Sequence, residues 1–376
     1  MTFASYMEQT LYGPDGYYAS GRAQSGREGD YFTAPDVGPA FGQLLAQTFL
    51  GWQAQLDITP FHLIEAGAGE GALARSIQAA LQARAADFPY TAIERSPYRR
   101  EKLGASFNVL ADINDLPPMS GCLFANELLD AFPVHRVRVK NGKLEEAYIE
   151  SHPHPQPLSL IRERVAEGRV RMVWGSPSTP HLAAYLKRIR VDLPEGYETE
   201  INLAMAAWFQ MVSQKLQKGL VLLIDYGRPA HQYYDPERSS GTLRAFRGHR
   251  VSGDVLTAPG LADLTADVDF TSAALDGRAA GLTPLAFMEL GSFLLQGASA
   301  LQGPPPAGLQ YLIHPEGMGS AFHVLILGKG LPQLSEKDFA HNRIARLGLP
   351  SPHLARRPAS RQQSGDLFPI QGEREL

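Results

Sequence analysis

The chain has 376 residues, of which 44% are hydrophobic and 20% charged. This balance is typical of a folded enzyme and excludes a wholly disordered or collagen-like chain. Its 35 basic and 39 acidic residues give a formal net charge of -4, so no overall positive field favours nucleic acid or anionic lipid as a partner. The single cysteine, Cys122, excludes an internal disulfide and a cysteine-clustered metal site, and it fits a reducing, cytoplasmic location.

The sequence carries no pattern of a membrane anchor or a targeting leader. Its longest apolar runs, such as 219–224, have the length of a strand, whereas a membrane span needs about 20 apolar residues. Residues 1–9 contain Glu8 and neither Lys nor Arg, unlike a secretory signal or a transit peptide. We therefore expect no membrane anchor, no nucleic-acid partner and no metal.

Residues 1–60 are predicted to form a helical segment in front of the core. Residues 12–18 are rich in turn-forming residues, and residues 39–56 follow the pattern of an amphipathic helix.

Residues 61–135 alternate between strand and helix patterns. Strands are predicted at 61–66, 90–94, 107–110 and 122–125, and helices at 72–84 and 97–104. Because alternating strands and helices pair in parallel through right-handed crossovers, we expect an α/β fold with a doubly wound, mostly parallel, Rossmann-like sheet. Strands predicted at 220–226 and 322–327 extend this core over residues 218–330. Ligands of such a sheet bind at the carboxyl ends of the strands.

Residues 136–217 are predicted to be an inserted α+β region on the side of the sheet where a substrate binds. A hairpin is expected at 134–139 and 144–149 around Asn141-Gly142, followed by helices at 180–189 and 201–216. The Pro- and His-rich stretch 151–158 favours an exposed insertion, with a metal site as the alternative. The tail, residues 331–376, is predicted to be partly disordered.

Residues 63–71 combine a strand with a Gly-rich turn that leads into a helix. Glycine permits positive φ and the close approach of a ligand to bare backbone, and the start of a helix offers unpaired N–H groups. Gly67 and Gly69 occupy such a turn, but the spacing also satisfies the fingerprint of dinucleotide-binding folds. The turn alone therefore does not distinguish a dinucleotide from S-adenosylmethionine.

Two of the three acidic residues at and after the turn, Glu70 and Asp112, favour S-adenosylmethionine over a dinucleotide. Glu70, at the helix start, would oppose a pyrophosphate but tolerate a sulfonium. Glu94 follows the next strand, where either cofactor class needs a carboxylate for the ribose hydroxyls. Asp112 follows the third strand and can accept from an adenine amino group while the Ile113 N–H binds a ring nitrogen. The alternative for Asp112 is that it caps a turn.

The fourth strand is followed by Asn126, Glu127 and Asp130, where the methyl acceptor is expected to bind. Glu127 and Asp130, at positions i and i+3, are predicted to lie on one side of a helical turn. Two carboxylates suit a guanidinium, which they bind through bidentate hydrogen bonds and orient for attack. The alternative is that Glu127 caps the strand end and that Asp130 pairs with Arg136.

Two further residues are candidates for the acceptor pocket. His249 is a possible base there, although a lone histidine is more often structural. Asp225, at the end of a buried strand, either serves the pocket or stabilises the following turn. The sequence contains no recognisable Ser-His-Asp arrangement, HExxH motif or P-loop, which disfavours hydrolase and NTPase functions.

Over residues 3–330 the chain resembles the MidA-type class I methyltransferases, whose mitochondrial member is a complex I assembly factor that methylates a protein arginine. The motifs that carry the resemblance are residues 6–7, 12–18, 29–35, 65–71, 126–134, 225–227, 241–243, 248–249 and 263–270. Ala66 and Ala68 depart from the usual Leu and Pro, and residues 36–38 (Asp-Val-Gly) replace a more usual Glu-Ile-Ser. The first departure leaves the glycines in place, and the second affects the acceptor entrance.

The resemblance implies that residues 61–135 and 218–330 form a methyltransferase core and that residues 29–33 fold over S-adenosylmethionine. The cofactor-binding candidates are Gly29, Asp30, Phe32, Thr33, Glu65, Gly67, Gly69, Glu94, Asp112, Ile113 and Asn126, and the catalytic candidates are Glu127, Asp130 and His249. The expected partner is a protein with an accessible arginine, for example a respiratory complex I subunit, and a homodimer is expected. The alternatives are a small-molecule or non-arginine methyltransferase, or an assembly factor that binds the cofactor without turnover.

Overall fold

The computed structural model describes residues 1–23, 25–26, 29–104, 106–150, 170–298 and 305–350. Its helices are α1 (Phe3–Tyr12), α2 (Ala40–Leu56), α3 (Ala72–Gln82), α4 (Pro97–Leu103), α5 (His181–Ile189), α6 (Ala204–Lys215), α7 (Ala230–Tyr233), α8 (Phe270–Ala279), α9 (Leu290–Ala298) and α10 (Leu309–Ile313). The first eight strands are β1 (His62–Ala66), β2 (Tyr90–Ile93), β3 (Asn108–Leu110), β4 (Met119–Asn126), β5 (His135–Lys140), β6 (Lys143–Glu150), β7 (Arg171–Gly175) and β8 (Glu198–Ile201). The remaining strands are β9 (Leu216–Arg228), β10 (Arg244–Arg247), β11 (Arg250–Ser252), β12 (Asp263–Thr265), β13 (Val268–Asp269), β14 (Thr283–Glu289) and β15 (Phe322–Lys329).

The central sheet has the strand order β14-β15-β9-β4-β1-β2-β3, with β13 paired to β9. Strands β3, β2, β1, β4 and β9 run parallel, whereas β15 is antiparallel to both of its neighbours, β9 and β14. Connections that cross over in both directions from β1 place helices on both faces. The predicted α/β, doubly wound, mostly parallel fold is therefore confirmed.

Each face of the sheet buries its own apolar core. One core includes side chains of α2, α3 and α9, and the other includes side chains of α6 and α8. Strand β9 contributes to both, because its successive residues Leu220–Ile224 alternate between the faces and are all buried. Helix α6 lies inside the predicted insertion in sequence, yet Trp208 and Phe209 pack on the central sheet.

A second, antiparallel sheet has the order β7-β6-β5-β8. The predicted hairpin of β5 and β6 is present, with Asn141 and Gly142 at φ 53° and 67° in the turn. A third sheet has the order β11-β10-β12. Strands β7, β8, β10, β11 and β12 have only three to five residues and were not predicted, since so short a segment shows little periodicity.

The helix predicted at 201–216 begins three residues later, at Ala204. Ile201 ends β8, and the side-chain oxygen of Asn202 accepts hydrogen bonds from the N–H groups of Ala204 and Met205 at 3.1 and 3.2 Å. An asparagine that binds these N–H groups is a helix cap, which a search for apolar periodicity does not locate.

Part of the predicted tail packs on the core, since Leu331, Ile344 and Leu347 are buried. The stretches 151–158 and 351–376, with their predicted exposure and disorder, lie outside the described residues. Across the described ranges, no helix has both the length and the apolar character that a membrane crossing requires.

The pairing of β4 with β9 depends on a close approach at Gly219, whose φ is 144°. A Cβ atom there would lie 1.9 Å from the carbonyl oxygen of Gly121. We expect Gly219→Ala to lower the free energy of unfolding by about 2 kcal/mol or more, measured by urea denaturation. The control is Gly51→Ala in α2, where a Cβ meets no atom within 4 Å; it should raise stability by about 0.5 kcal/mol. Equal stability of the two variants would contradict the close approach.

Candidate functional site

A cavity of about 1540 Å³ lies at the carboxyl ends of the parallel strands. Its wall contains residues at or just beyond the ends of β1, β2, β3, β4 and β9. All the predicted site residues line it, namely Gly29, Asp30, Phe32, Thr33, Glu65, Gly67, Gly69, Glu94, Asp112, Ile113, Asn126, Glu127, Asp130 and His249. The structure thus brings together residues separated by more than 200 positions, while their individual contacts with a ligand stay predictions.

The glycine turn after β1 is tied to the end of β2 by Glu94. One oxygen of this carboxylate accepts the Gly69 N–H at 2.8 Å, and the other accepts the Ser96 N–H at 2.7 Å. Burial raises the pKa of Glu94, although Arg99 and the two N–H groups oppose the shift. Each carboxylate oxygen has a second lone pair, so Glu94 can still accept from a ligand hydroxyl.

Gly67 needs its lack of a side chain. Its φ is 76°, and a Cβ atom would lie 2.9 Å from a methyl carbon of Leu128. Glu65, two residues earlier, is buried and accepts a hydrogen bond of 2.6 Å from the Tyr90 hydroxyl. Burial raises the pKa of Glu65 to about 8. Glu65, in β1 just before the turn, is therefore readily protonated near neutral pH.

The sequence argument from Glu70 is wrong in its physical basis. The Glu70 carboxylate lies 2.6 Å from the Lys102 ammonium, and both side chains are exposed. Because this pairing neutralises the charge, Glu70 does not discriminate against a pyrophosphate. Asp112 accepts the Asn114 N–H at 2.8 Å and so caps the turn that follows β3. This is the alternative that the sequence left open for Asp112. It also lines the cavity.

Glu127 does not lie on a helical turn with Asp130, contrary to the prediction. It has φ 52°, and the short 3-10 helix covers only Leu129–Ala131. One Glu127 carboxylate oxygen accepts the Asn126 side-chain N–H at 3.0 Å and the Ala34 backbone N–H at 3.3 Å. The second contact joins the N-terminal segment to the end of β4.

Asp130 is buried and accepts a hydrogen bond from the Tyr226 hydroxyl. Its other carboxylate oxygen is buried and has no hydrogen-bond partner in the structure, and the same is true of the side-chain oxygen of Asn126. The alternative pairing of Asp130 with Arg136 is wrong, because Arg136 instead pairs with Glu198 at 2.9 Å. Two buried acceptors thus lie at the cavity wall without donors.

Asp225 stabilises the loop that presents Glu127 and Asp130. One of its oxygens accepts backbone N–H groups of Leu128, Leu129 and Asp130 at 3.2, 3.0 and 3.4 Å. The sequence left open whether Asp225 serves the pocket or stabilises a turn, and the structure favours the turn. The stabilised turn follows β4, however, and not β9.

Asp263 is a site residue that the sequence analysis did not select. It begins β12, lines the cavity and accepts the Tyr18 hydroxyl at 2.6 Å. Residues 263–270 carry part of the family resemblance and contain three acids, and this signal does not distinguish Asp263 from Asp267 and Asp269.

The cavity acids bind protons more strongly than free carboxyl groups. Burial, followed by the charge of Asp130, raises the pKa of Glu127 to about 8. Burial also raises the pKa of Asp263 to about 7 and that of Asp130 to about 6, while the tyrosine hydroxyl on each opposes the shift. Among the described residues, none of these acids forms an ion pair within 4 Å.

His249 lies in the turn between β10 and β11 and is exposed. Its backbone N–H donates to the Asp30 carbonyl at 3.0 Å, and the Gly248 N–H donates to the Asp30 carboxylate at 2.7 Å. The Tyr17 hydroxyl binds the other Asp30 oxygen at 2.6 Å. The hairpin and the N-terminal segment therefore form one continuous rim of the cavity.

Comparison with known proteins supports S-adenosylmethionine as the cofactor. The family described as "Putative S-adenosyl-L-methionine-dependent methyltransferase" matches residues 43–288. A protein from Burkholderia thailandensis whose crystal structure contains S-adenosyl-homocysteine has a TM-score of 0.77 and 30% identity to this chain, with 91% of each chain covered.

The similar curated proteins carry the name protein arginine methyltransferase NDUFAF7. The alignment with the mitochondrial homolog of Drosophila melanogaster is 302 positions long, with 28% identity, and covers 71% of this chain and 64% of that protein. The alignment with the protein of Rattus norvegicus is 379 positions long, gaps included, with 27% identity, and covers 87% of this chain and 80% of that protein. The chain thus spans slightly less than two thirds of the Drosophila relative.

The raised pKa of Glu127 predicts how stability depends on pH. An acid whose pKa is higher in the folded chain binds more protons there, so the free energy of unfolding falls as pH rises between the two values. For Glu127 this window extends from the unperturbed value of about 4.3 to about 8. We expect Glu127→Gln to lose less stability than the native chain between these pH values, in urea titrations. Glu70→Gln, an exposed acid of the same cavity, is the control. Parallel curves for the native chain and Glu127→Gln would contradict the shift.

Proposed function

Because the chain belongs to the S-adenosyl-L-methionine-dependent methyltransferase family, we propose that it transfers a methyl group to the guanidinium of a protein arginine. S-adenosylmethionine is its cofactor. The arginine acceptor is supported by the names of the similar curated proteins and by the acids that line the cavity.

The residues of the cavity fit the cofactor. Asn126 has a buried oxygen without a donor, which suits an ammonium group. Glu94, at the end of β2, can accept the ribose hydroxyls. The glycines of the turn leave the backbone open to close approach. We therefore assign the cofactor to the side of the cavity formed by β1, β2 and α3.

One observation carries the choice of acceptor. Glu127, Asp130 and Asp263 line the cavity, and Asp130 keeps a buried oxygen without a donor. Buried carboxyl groups that lack a cation either take up protons or bind a cationic ligand. A guanidinium has five N–H donors in a planar arrangement, enough to satisfy several acceptors at once. A neutral acceptor would leave these carboxyl groups unpaired.

The cavity residues then have separate tasks. The cofactor supplies a methyl group bound to a sulfonium. Glu127 and Asp130 orient the guanidinium, and its positive charge lowers their pKa because an opposite charge favours the ionised form. The attacking nitrogen loses a proton when it is methylated, and Glu127 accepts that proton. Asp225 keeps the Glu127 loop in position.

Removal of the Glu94 carboxylate tests the cofactor side. We expect Glu94→Ala to weaken S-adenosylmethionine binding by more than about 1 kcal/mol, because both the ribose and the Gly69 N–H lose an acceptor. Isothermal titration calorimetry measures the affinity. Glu70→Ala is the matched control, since Glu70 lies on the same turn, is exposed and pairs with Lys102. Equal affinities of the two variants would remove Glu94 from the cofactor site.

Incubation of the protein with labelled S-adenosylmethionine and a library of arginine-containing peptides tests the acceptor. Mass spectrometry should place the label on arginine, and Glu127→Gln should reduce turnover by about 100-fold while the cofactor affinity is unchanged. Glu70→Gln carries the same chemical change away from the acceptor and should remain active. Label on lysine, on a hydroxyl or on no peptide would contradict the proposal, and unchanged turnover of Glu127→Gln would remove that residue from its role. A complex I subunit as acceptor, a homodimer and a cytoplasmic location stay predictions.

A further inference from the structure

The hairpin of β10 and β11 has a defined hydrogen-bond pattern. Its two-residue turn consists of Gly248 and His249, at φ 54° and 57°. Positive φ at both positions is the mark of a type I′ turn, whose flanking residues exchange both backbone hydrogen bonds. Arg247 and Arg250 are therefore a hydrogen-bonded pair.

The alternation of an antiparallel ladder then places the backbone of Val251. Phe246 and Val251 are the next pair along the hairpin and do not bond to each other. Phe246 agrees with this pattern, because it pairs with Asp263 of β12 on its other side. The N–H and C=O of Val251 consequently point away from β10, towards the open edge. Among the described strands, β11 has only β10 as a neighbour.

The face of this sheet leads into the cavity. Val251, Phe246 and Asp263 are register partners across the three strands, so their side chains share one face, and all three line the cavity. The exposed fraction falls from 59% at Val251 to 4% at Asp263. The row thus extends from the surface at β11 to one of the buried acids.

We propose that β11 binds the backbone of the acceptor protein, which adds to the sheet as an extended strand through hydrogen bonds to Val251. This inference rests on the proposed function, since it requires a protein acceptor. The acceptor is expected to bind β11 as an extended segment, because the exposed edge of β11 is continuous with the cavity in which the arginine reacts. Peptides commonly bind proteins by adding a strand to a sheet edge.

The geometry also predicts how far the arginine lies from the paired residue. An added strand is separated from β12 by three strand spacings of about 4.8 Å, or about 14 Å in all. An arginine directly opposite Val251 is too short to reach Asp263 over that span. At about 3.3 Å per residue, the backbone alone covers it in about four residues. Because the arginine side chain covers part of the span, the arginine lies about two to four residues from the segment that pairs with β11.

A proline at position 251 isolates the backbone contact. Val251→Pro removes the outward N–H, and an edge strand tolerates proline where the N–H faces solvent. Val251→Ala is the matched control, because it shortens the side chain but keeps the N–H. Thermal unfolding and S-adenosylmethionine titration verify that both variants are folded and bind cofactor as the native chain does.

The experiment combines these variants with shortened peptides. The probe is the arginine peptide that the native protein labels best, compared with a version cut to about one residue on each side of the arginine, which no longer reaches β11. With the long peptide, Val251→Pro should raise KM by about three- to tenfold at similar kcat, as expected for the loss of one hydrogen bond. Val251→Ala should stay within about twofold of the native KM. Truncation should raise KM more for the native chain than for Val251→Pro, which keeps the Val251 C=O as an acceptor.

The outcomes separate this inference from the proposed function. If the native chain labels the long peptide on arginine but Val251→Pro and Val251→Ala have the same KM, the strand addition is wrong and the arginine activity stands. A truncation effect of equal size in the native chain and Val251→Pro also overturns the strand addition. If no arginine in any peptide is labelled, the proposed function fails and this inference fails with it.

Discussion

The structure of the site depends on the burial of carboxyl groups around one cavity. Glu127, Asp130, Asp225 and Asp263 have raised pKa values because burial disfavours the charged form. A protein with such a cluster must supply hydrogen-bond donors, and this chain uses tyrosine hydroxyls and backbone N–H groups instead of arginine or lysine. These acids therefore take up protons when no cation is bound and ionise when a cationic ligand binds, and their burial lowers stability as pH rises.

The sheet explains why this arrangement is possible. Parallel strands end at one edge, so residues that follow β1, β2, β4 and β9 meet although the sequence separates them. In the proposed function, the cofactor and the acceptor therefore bind on different sides of the cavity. Glu94 and the glycine turn belong to β1 and β2, whereas Glu127 and Asp130 follow β4. Asp225 connects the acceptor loop to β9 through three backbone hydrogen bonds.

Two elements outside the central sheet complete the cavity. The N-terminal segment contacts Glu127 through the Ala34 N–H, and its Asp30 binds the turn of the β10–β11 hairpin. The parts that make these contacts are a bend at Asp30, a short 3-10 helix that begins at Ala34, and the turn of the hairpin. Such connecting segments commonly vary among proteins that share a core. Under the proposed function, the acceptor and the cofactor are therefore contacted by the same rim.

The sequence by itself determined the class of fold, the glycine turn and the cavity residues that follow predicted strands. These features are local: periodicity defines the strands and helices, and Glu94, Asp112 and Asn126 follow directly at their ends. Only the tertiary structure decided three other features. Glu70 pairs with Lys102, Glu127 has positive φ outside a helix, and Asp263 lies with the other acids at the cavity wall. Each depends on contacts between distant segments, and Tyr18 and Asp263, for example, are 245 residues apart. Local residue patterns do not encode such pairings, because they arise when the strands are assembled into one sheet.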